Sequence, residues 1–305
     1  MQNRASLLNA LGTCWGSSAL AAPSTTADLV GALLAELAVG DPVRAGGLSD
    51  NRVHGRPSAS VPSGGLSLFP LSARDALREP ATRVVTLGEA LERAWLTLRV
   101  ERTDVAGRVV LQSWADAAIL ITSRETLPGC GGLAAVRDVL VPPGARGLGI
   151  PVASPPAAEE VGSERSWQHR VHALEAIASG FPSGCEGVLV AVGDRAVRLE
   201  LFPNAWLLSR VRPDVLRAAA FEALAERDGP PMSREDAERF LRELADLPWM
   251  RREPVGLGLD AEGSVPGLTA SVLFLGGALV HLSADARGGR LLLAAPEQDL
   301  ETTHP

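Results

Sequence analysis

The run that most narrowly limits how this chain can fold lies near its C-terminus: Leu268 to Leu275, then Gly276-Gly277, then Ala278 to Ser283. Two apolar, β-prone segments joined by a glycine pair predict a hairpin, because both central positions of the favoured two-residue turn need positive φ. The pattern recurs upstream as Val188 to Val192, Gly193-Asp194-Arg195, then Ala196 to Phe202. Alternation there places Val197, Leu199 and Leu201 on one side and Arg198 and Glu200 on the other. Residues 96–152 are β-rich. Leu96, Leu98 and Val100 alternate with Thr97, Arg99 and Glu101; Val109 to Trp114, Ala118 to Thr122 and Val139 to Val141 follow. The last of these closes on the turn Pro142-Pro143-Gly144. Leu66 to Leu71 reads as a further strand with Pro70 near its end. Regular βαβ alternation is missing, which argues against a doubly wound nucleotide fold. The expected fold is α+β: a largely antiparallel sheet with hairpins and helices packed against it, in a single main domain.

Helices are expected in blocks. Asp28 to Val39 carries Leu29, Leu33 and Leu37 at helical spacing, with Asp28 as its cap. Thr86 followed by Glu89 forms a capping box. Behind it Leu87, Ala90, Leu91, Ala94 and Trp95 trace one apolar face, so the helix is expected to run to Trp95. Ser166–Ser179, Ala205–Val211 and Asp214–Glu226 read as helices, and Ser233 caps another over Glu235–Leu247 with Pro248 as its stop. The main domain is expected over 28–283, with a loosely ordered extension at 1–27 and a tail at 284–305. A long Gly/Pro/Ser loop is expected at 41–65 and a linker at 151–163.

The 305 residues carry 29 basic and 36 acidic side chains, a net charge of −7. Binding to duplex DNA, which needs a cationic face, is not expected, and neither is any nucleic acid, since no basic run interleaves with aromatics. Every basic residue other than histidine is arginine, and tyrosine is absent. Schiff-base lysines, phosphate-loop lysines and phenolic acids are therefore excluded. Cys14, Cys130 and Cys185 form no CxxC pair, so neither a disulfide framework nor a structural zinc site is expected. No apolar run approaches the length of a membrane span. A cytoplasmic location is the expectation, with export through the weak signal-like Met1–Pro23 as the minor alternative.

Glu125 follows the apolar run Ile119-Leu120-Ile121 and precedes Gly129-Cys130-Gly131-Gly132. A carboxylate at a strand end beside flexible backbone suits a general base or a ribose-hydroxyl acceptor. Arg137 suits a phosphate or carboxylate clamp, and an ion pair with Glu125 is its structural alternative. Gly129, Gly131 and Gly132 can offer backbone N–H groups to an anion. His281, expected on the face shared by Leu279 and Ser283, is the candidate acid. Cys130 is a minor candidate nucleophile. His169 and His172, three apart on a helix, fit a solvated face better than a metal pair. No metal site is expected, and no cofactor is assigned.

Several segments keep an order and spacing found elsewhere: Leu68-Phe69-Pro70-Leu71, Thr86-Leu87-Gly88-Glu89-Ala90, Arg124-Glu125-Thr126-Leu127, and Arg137-Asp138-Val139-Leu140-Val141-Pro142-Pro143-Gly144. Gly187-Val188-Leu189-Val190-Ala191, Leu199-Glu200-Leu201-Phe202 and Val280-His281-Leu282 continue the series. Over roughly 28–283 the chain resembles, as a divergent member, the ARG and rhodanese-phosphatase-superfamily-associated protein domain, ARG standing for ADP-ribosylglycohydrolase. The resemblance implies an association with ADP-ribose or phosphate-ester chemistry and a bacterial-type protein. The polar tract usual in the family is replaced here by Gly131-Gly132-Leu133-Ala134, and Ala153-Ser154-Pro155-Pro156 stands where a polar stretch usually follows the turn. The leading functional expectation is thus a non-catalytic or weakly catalytic binder of a small anionic, nucleotide-derived ligand. The alternatives are a hydrolase with Glu125 as base and His281 as acid, and a protein–protein interaction scaffold.

Overall fold

A computed structural model describes residues 25–44, 66–74, 77, 79–102, 107–154, 180–212, 215 and 230–286. The expected helices at 166–179 and 214–226, with His169 and His172, lie wholly or almost wholly outside these residues, as do most of the 41–65 loop and of the 151–163 linker.

The chain opens with α1 (Thr26–Ala35), whose N-cap is Thr25; Asp28 completes the capping box from inside the first turn. The helix is shorter than expected. Leu37–Val39 leaves it to form β1, which pairs antiparallel with β3 (Leu66–Ala73), since their apolar side chains gain more against a sheet than at a helix end. β2 (Val43–Arg44) also pairs with β3. Pro70 sits inside β3 rather than at its end, between the stretches paired to β1 and to β2, where its missing N–H breaks no ladder.

After β4 (Val84–Thr86) comes the short α2 (Leu87–Glu92). It stops well before Trp95 because Ala94 takes a left-handed conformation, φ 53°, and the chain turns into β5 (Leu96–Arg102). β6 (Gly107–Ser113), β7 (Ala118–Ile121), β8 (Ala134–Ala135), β9 (Val139–Val141) and β10 (Arg146–Ala153) follow. Residues 151–153, expected in a linker, belong to β10. Then come β11 (Gly187–Val192), β12 (Arg195–Leu201), α3 (205–212) and α4 (Arg234–Ala245), the last capped by Ser233. β13 (Met250–Arg252), β14 (Leu259–Val265), β15 (Leu268–Leu275) and β16 (Ala278–Asp285) complete the described chain.

The strands form three sheets. The nine-stranded one runs β1-β3-β11-β12-β16-β15-β14-β13 with β2 beside β3; the others run β5-β6-β10-β8 and β4-β7-β9. All pairings are antiparallel except β4 with β7. Among the described residues strand outweighs helix, in largely antiparallel sheets. Gly276 and Gly277, at φ 60° and 78°, make the expected two-residue turn between β15 and β16.

One face of the large sheet buries Phe69, Leu189, Leu199, Leu201, Val272 and Leu282 with Val30 and Leu34 of α1 and Phe240, Leu241 and Leu244 of α4. The other face is split. Over β3 and β11 it is apolar, with Leu68, Val188 and Val190 packed against Phe202, Leu207, Leu208 and, from the small sheet, Leu120 and Leu140. Over β12 to β13 it turns more polar, with Arg198, Glu200, Asp260, Glu262 and Ser283 beside Val197, Leu273 and Val280 of the apolar cluster.

Candidate functional site

Two β-bulges make that polar face. In β12, Arg198 pairs with Val190 and Ala196 with Ala191, so Val197 is an extra residue. In β16, His281 pairs with Leu273 and Leu279 with Phe274, so Val280 is extra. A bulge turns two consecutive side chains to one side. Val197 therefore leaves the face of Leu199 and Leu201 and joins the opposite cluster. His281 likewise does not share a face with Leu279, which is buried against α1 and α4. It stands instead with Ser283, Glu200 and Arg198.

His281 is 1% exposed and stacks on Phe202, ring centroids 4.6 Å apart. Its Nδ1 lies 2.6 Å from Asp138 Oδ2 and its Nε2 2.6 Å from Glu200 Oε2. Arg198 Nε donates to the other Glu200 oxygen at 2.6 Å, and the Ser123 backbone N–H donates to the other Asp138 oxygen at 2.7 Å. Burial alone would push the imidazole pKa down. The Asp138 charge and hydrogen bond, with those of Glu200, reverse this and lift it to about 10. Burial would raise Glu200, but Arg198 and then His281 hold it down at about 2. The result is an imidazolium between two carboxylates.

Ion pairs flank this core and cross from the small sheet to the large one. Arg124 pairs with Asp285, and Arg137 Nη1 donates to the Glu253 carbonyl at 3.0 Å and lies 3.6 Å from Asp260 Oδ2. Arg252 donates to Asp260 Oδ1 at 2.8 Å and also pairs with Glu262. Burial raises the Asp260 pKa against the pull of Arg252 and Arg137, and the Asp138 charge adds to the rise. Among the described residues, Asp138, Glu200, Asp260, Glu262 and Asp285 thus share Arg124, Arg137, Arg198, Arg252 and the His281 ring as partners.

Glu125, Arg137 and His281 all border this seam, but each has its own partner. Glu125 Oε2 accepts from the Thr122 backbone N–H at 2.8 Å and from its hydroxyl at 3.2 Å, closing a turn that holds Arg124 at φ 68°. Gly129, Gly131 and Gly132 all have positive φ, at 75°, 70° and 80°, with open space where a Cβ would project. Their turn is pinned by Leu127 N–H to Leu133 O at 2.8 Å and by the Cys130 side chain, buried with Leu127, Ile119 and Ile121. Burial raises the Cys130 pKa, which removes the thiolate a nucleophile needs.

Sequence reasoning left out the partners that matter to His281: Asp138, read only as the neighbour of Arg137, and Glu200, read only as an outward-facing strand residue. The signal was present in the polar alternation of Arg198 with Glu200 and of Asp260, Glu262 and Ser264. Among the described residues, no cluster of His, Cys, Asp and Glu has the form of a metal site, and no helix is long and apolar enough to cross a membrane.

Fold and seam define a strand-dominated, largely antiparallel architecture with an ion-pair cluster centred on the buried His281, Asp138 and Glu200. Residues 162–284 match the model of the ARG and Rhodanese-Phosphatase-superfamily-associated Protein domain family. The resemblance is shown over that stretch, which holds β11 to β16 with His281 and Glu200. Glu125, Arg137 and Asp138 precede it. No curated protein and no solved structure matches the chain.

Proposed function

We propose that this chain is a non-catalytic binding module for a small anionic, nucleotide-derived ligand. The observation that carries the first half is the state of His281: both ring nitrogens are held by carboxylates at 2.6 Å and the ring is shut away from solvent. A general acid must reach the leaving group and exchange its proton near the working pH. An imidazolium pinned at a pKa of about 10 inside the core does neither. The hydrolase reading, with Glu125 as base, loses its acid. The ligand class is supported by the family description, which ties the domain to ADP-ribosylglycohydrolase and rhodanese-phosphatase proteins.

The test is thermal denaturation of the full chain with millimolar ADP-ribose, NAD and AMP, beside an assay for hydrolysis of the same compounds. Ligand at about 100 times its Kd stabilises the folded state by about 2.7 kcal/mol, a melting shift of several degrees. The expected result is stabilisation by at least one compound with no turnover. Turnover, or the absence of any shift at millimolar ligand, overturns the proposal.

A further inference from the structure

The arginines of the seam are engaged. The surface depression of about 590 Å³ beside α4 is lined by Asp194, Asp236, Glu243 and Asp246 against Arg195 and Arg239. Its charge repels a phosphate. The outer face of the four-stranded sheet has the opposite character. Leu96, Val109, Leu111 and Ser113 point inward. Alternation therefore turns Thr97 and Arg99 outward along β5 and Arg108, Val110 and Gln112 outward along β6, and the exposed Trp114 follows β6 directly; Trp95, just before β5, is partly buried against the inner core. Arg146 of β10 stands opposite Gln112 on that same face.

Trp114 is 57% exposed, and its backbone N–H donates to the Trp95 carbonyl at 2.8 Å, so the two indoles begin from adjacent positions. Around Trp95 the guanidinium carbons of Arg93 and Arg83 lie 4.7 Å and 5.9 Å from the ring centroid. Both arginines share one oxygen of the buried Glu89, at 3.0 Å and 3.2 Å, so one negative charge serves two positive ones. Arg99, Arg108 and Arg146 are exposed on the same face, and the Arg108 guanidinium lies over Gly149 in the space a Cβ there would fill. Against these stands Asp116, two residues beyond Trp114.

We propose that this face binds a nucleotide, its base stacked on Trp114 and its phosphate met by the surrounding arginines. The assignment rests on the reading of the chain as a nucleotide-derived-anion binder and gives that reading a place. Indole faces stack on any base, and guanidinium groups clamp phosphate oxygens. A linear scan of the sequence misses the site because Trp114, Arg99 and Arg146 come to share one face only through strand pairing. A mononucleotide and the end of a single strand offer the same base and phosphate, so the probes must separate them.

The experiment titrates the full chain with AMP, ADP-ribose, ribose 5-phosphate and a short single-stranded oligonucleotide, read by tryptophan fluorescence and thermal shift. AMP and ADP-ribose are expected to quench fluorescence and to bind more tightly than ribose 5-phosphate, which has no base. Trp114→Ala, at an exposed position, is expected to keep the unliganded melting temperature and weaken binding about tenfold or more. Arg99→Ala combined with Arg146→Ala should weaken it comparably, while Trp206→Ala, on α3, should leave it unchanged. An oligonucleotide that binds more tightly than AMP, with a steep salt dependence and the same sensitivity to Trp114→Ala, supports the same face with a polymer as its source. Nucleotides that stabilise the wild type and the Trp114→Ala variant equally overturn this site and leave the binder reading standing. No response to any probe overturns both.

Discussion

Replacing His281 with glutamine tests whether the seam holds the two parts of the molecule together by charge. In the folded chain its pKa is lifted from 6.5 to about 10, the Asp138 and Glu200 carboxylates overcoming burial. A raised pKa contributes stability that is complete below about pH 6.5 and is lost as pH rises through about 10. Glu200 works with the opposite sign. Its pKa, lowered from 4.5 to about 2 chiefly by Arg198, contributes above about pH 4.5 and fades as pH falls toward 2. The cluster is therefore strongest between about pH 4.5 and 6.5. Each pKa unit is worth about 1.4 kcal/mol, so the rise to about 10 sets a ceiling of about 5 kcal/mol on what alkaline titration of His281 removes. Folded domains have only about 5–15 kcal/mol in all. Removing one member of a buried charge cluster costs about 3–5 kcal/mol, because the remaining charges stay buried without their partner. Urea denaturation near pH 6, 8 and 9.5, followed by circular dichroism, reads both effects. The wild type should lose several kcal/mol across that series. His281→Gln should start about 3–5 kcal/mol lower and change far less with pH. Parallel pH profiles, or a variant as stable as the wild type near pH 6, would refute the assignment of a buried imidazolium.

Gly256 has φ 93°, and a Cβ there would strike the Leu140 carbonyl, where the small sheet meets the large one and Leu257 N–H donates to Leu140 O at 2.8 Å. Gly256→Ala should cost about 2–4 kcal/mol in urea melts, and a change within about 0.5 kcal/mol would show that this junction yields freely. Cys130 and Cys185 are each 3% exposed, and burial raises both thiols, Cys185 to about 11. Peptide mapping after iodoacetamide treatment of the native protein near pH 8 should find neither alkylated; rapid labelling of Cys130 would mean that its glycine turn opens in the native state.

Local pattern settled much of this protein. The β15–β16 hairpin with its glycine turn, the strand Val139–Val141 before Pro142-Pro143-Gly144, and the Ser233-capped helix are each encoded in one short continuous stretch, where periodicity and turn chemistry need no distant partner. Where the chain had to choose between two local preferences, tertiary contact chose. Leu37–Val39 continues a helical pattern yet pairs with β3, and Trp95 completes an apolar helical face yet follows a left-handed Ala94 into β5. The sites depended on tertiary structure more heavily still. Strict alternation places His281 with Leu279; a single extra residue at Val280 turns it to Glu200, 81 positions away, and to Asp138, 143 positions away. A bulge is a mismatch between two strands and belongs to neither alone, so a one-dimensional pattern carries no mark of it. The outer face that brings Trp114 together with Arg99 and Arg146 is hidden for the same reason. Alternation gives the outward residues of an unbulged strand such as β5, and only strand pairing decides which of them become neighbours across the face.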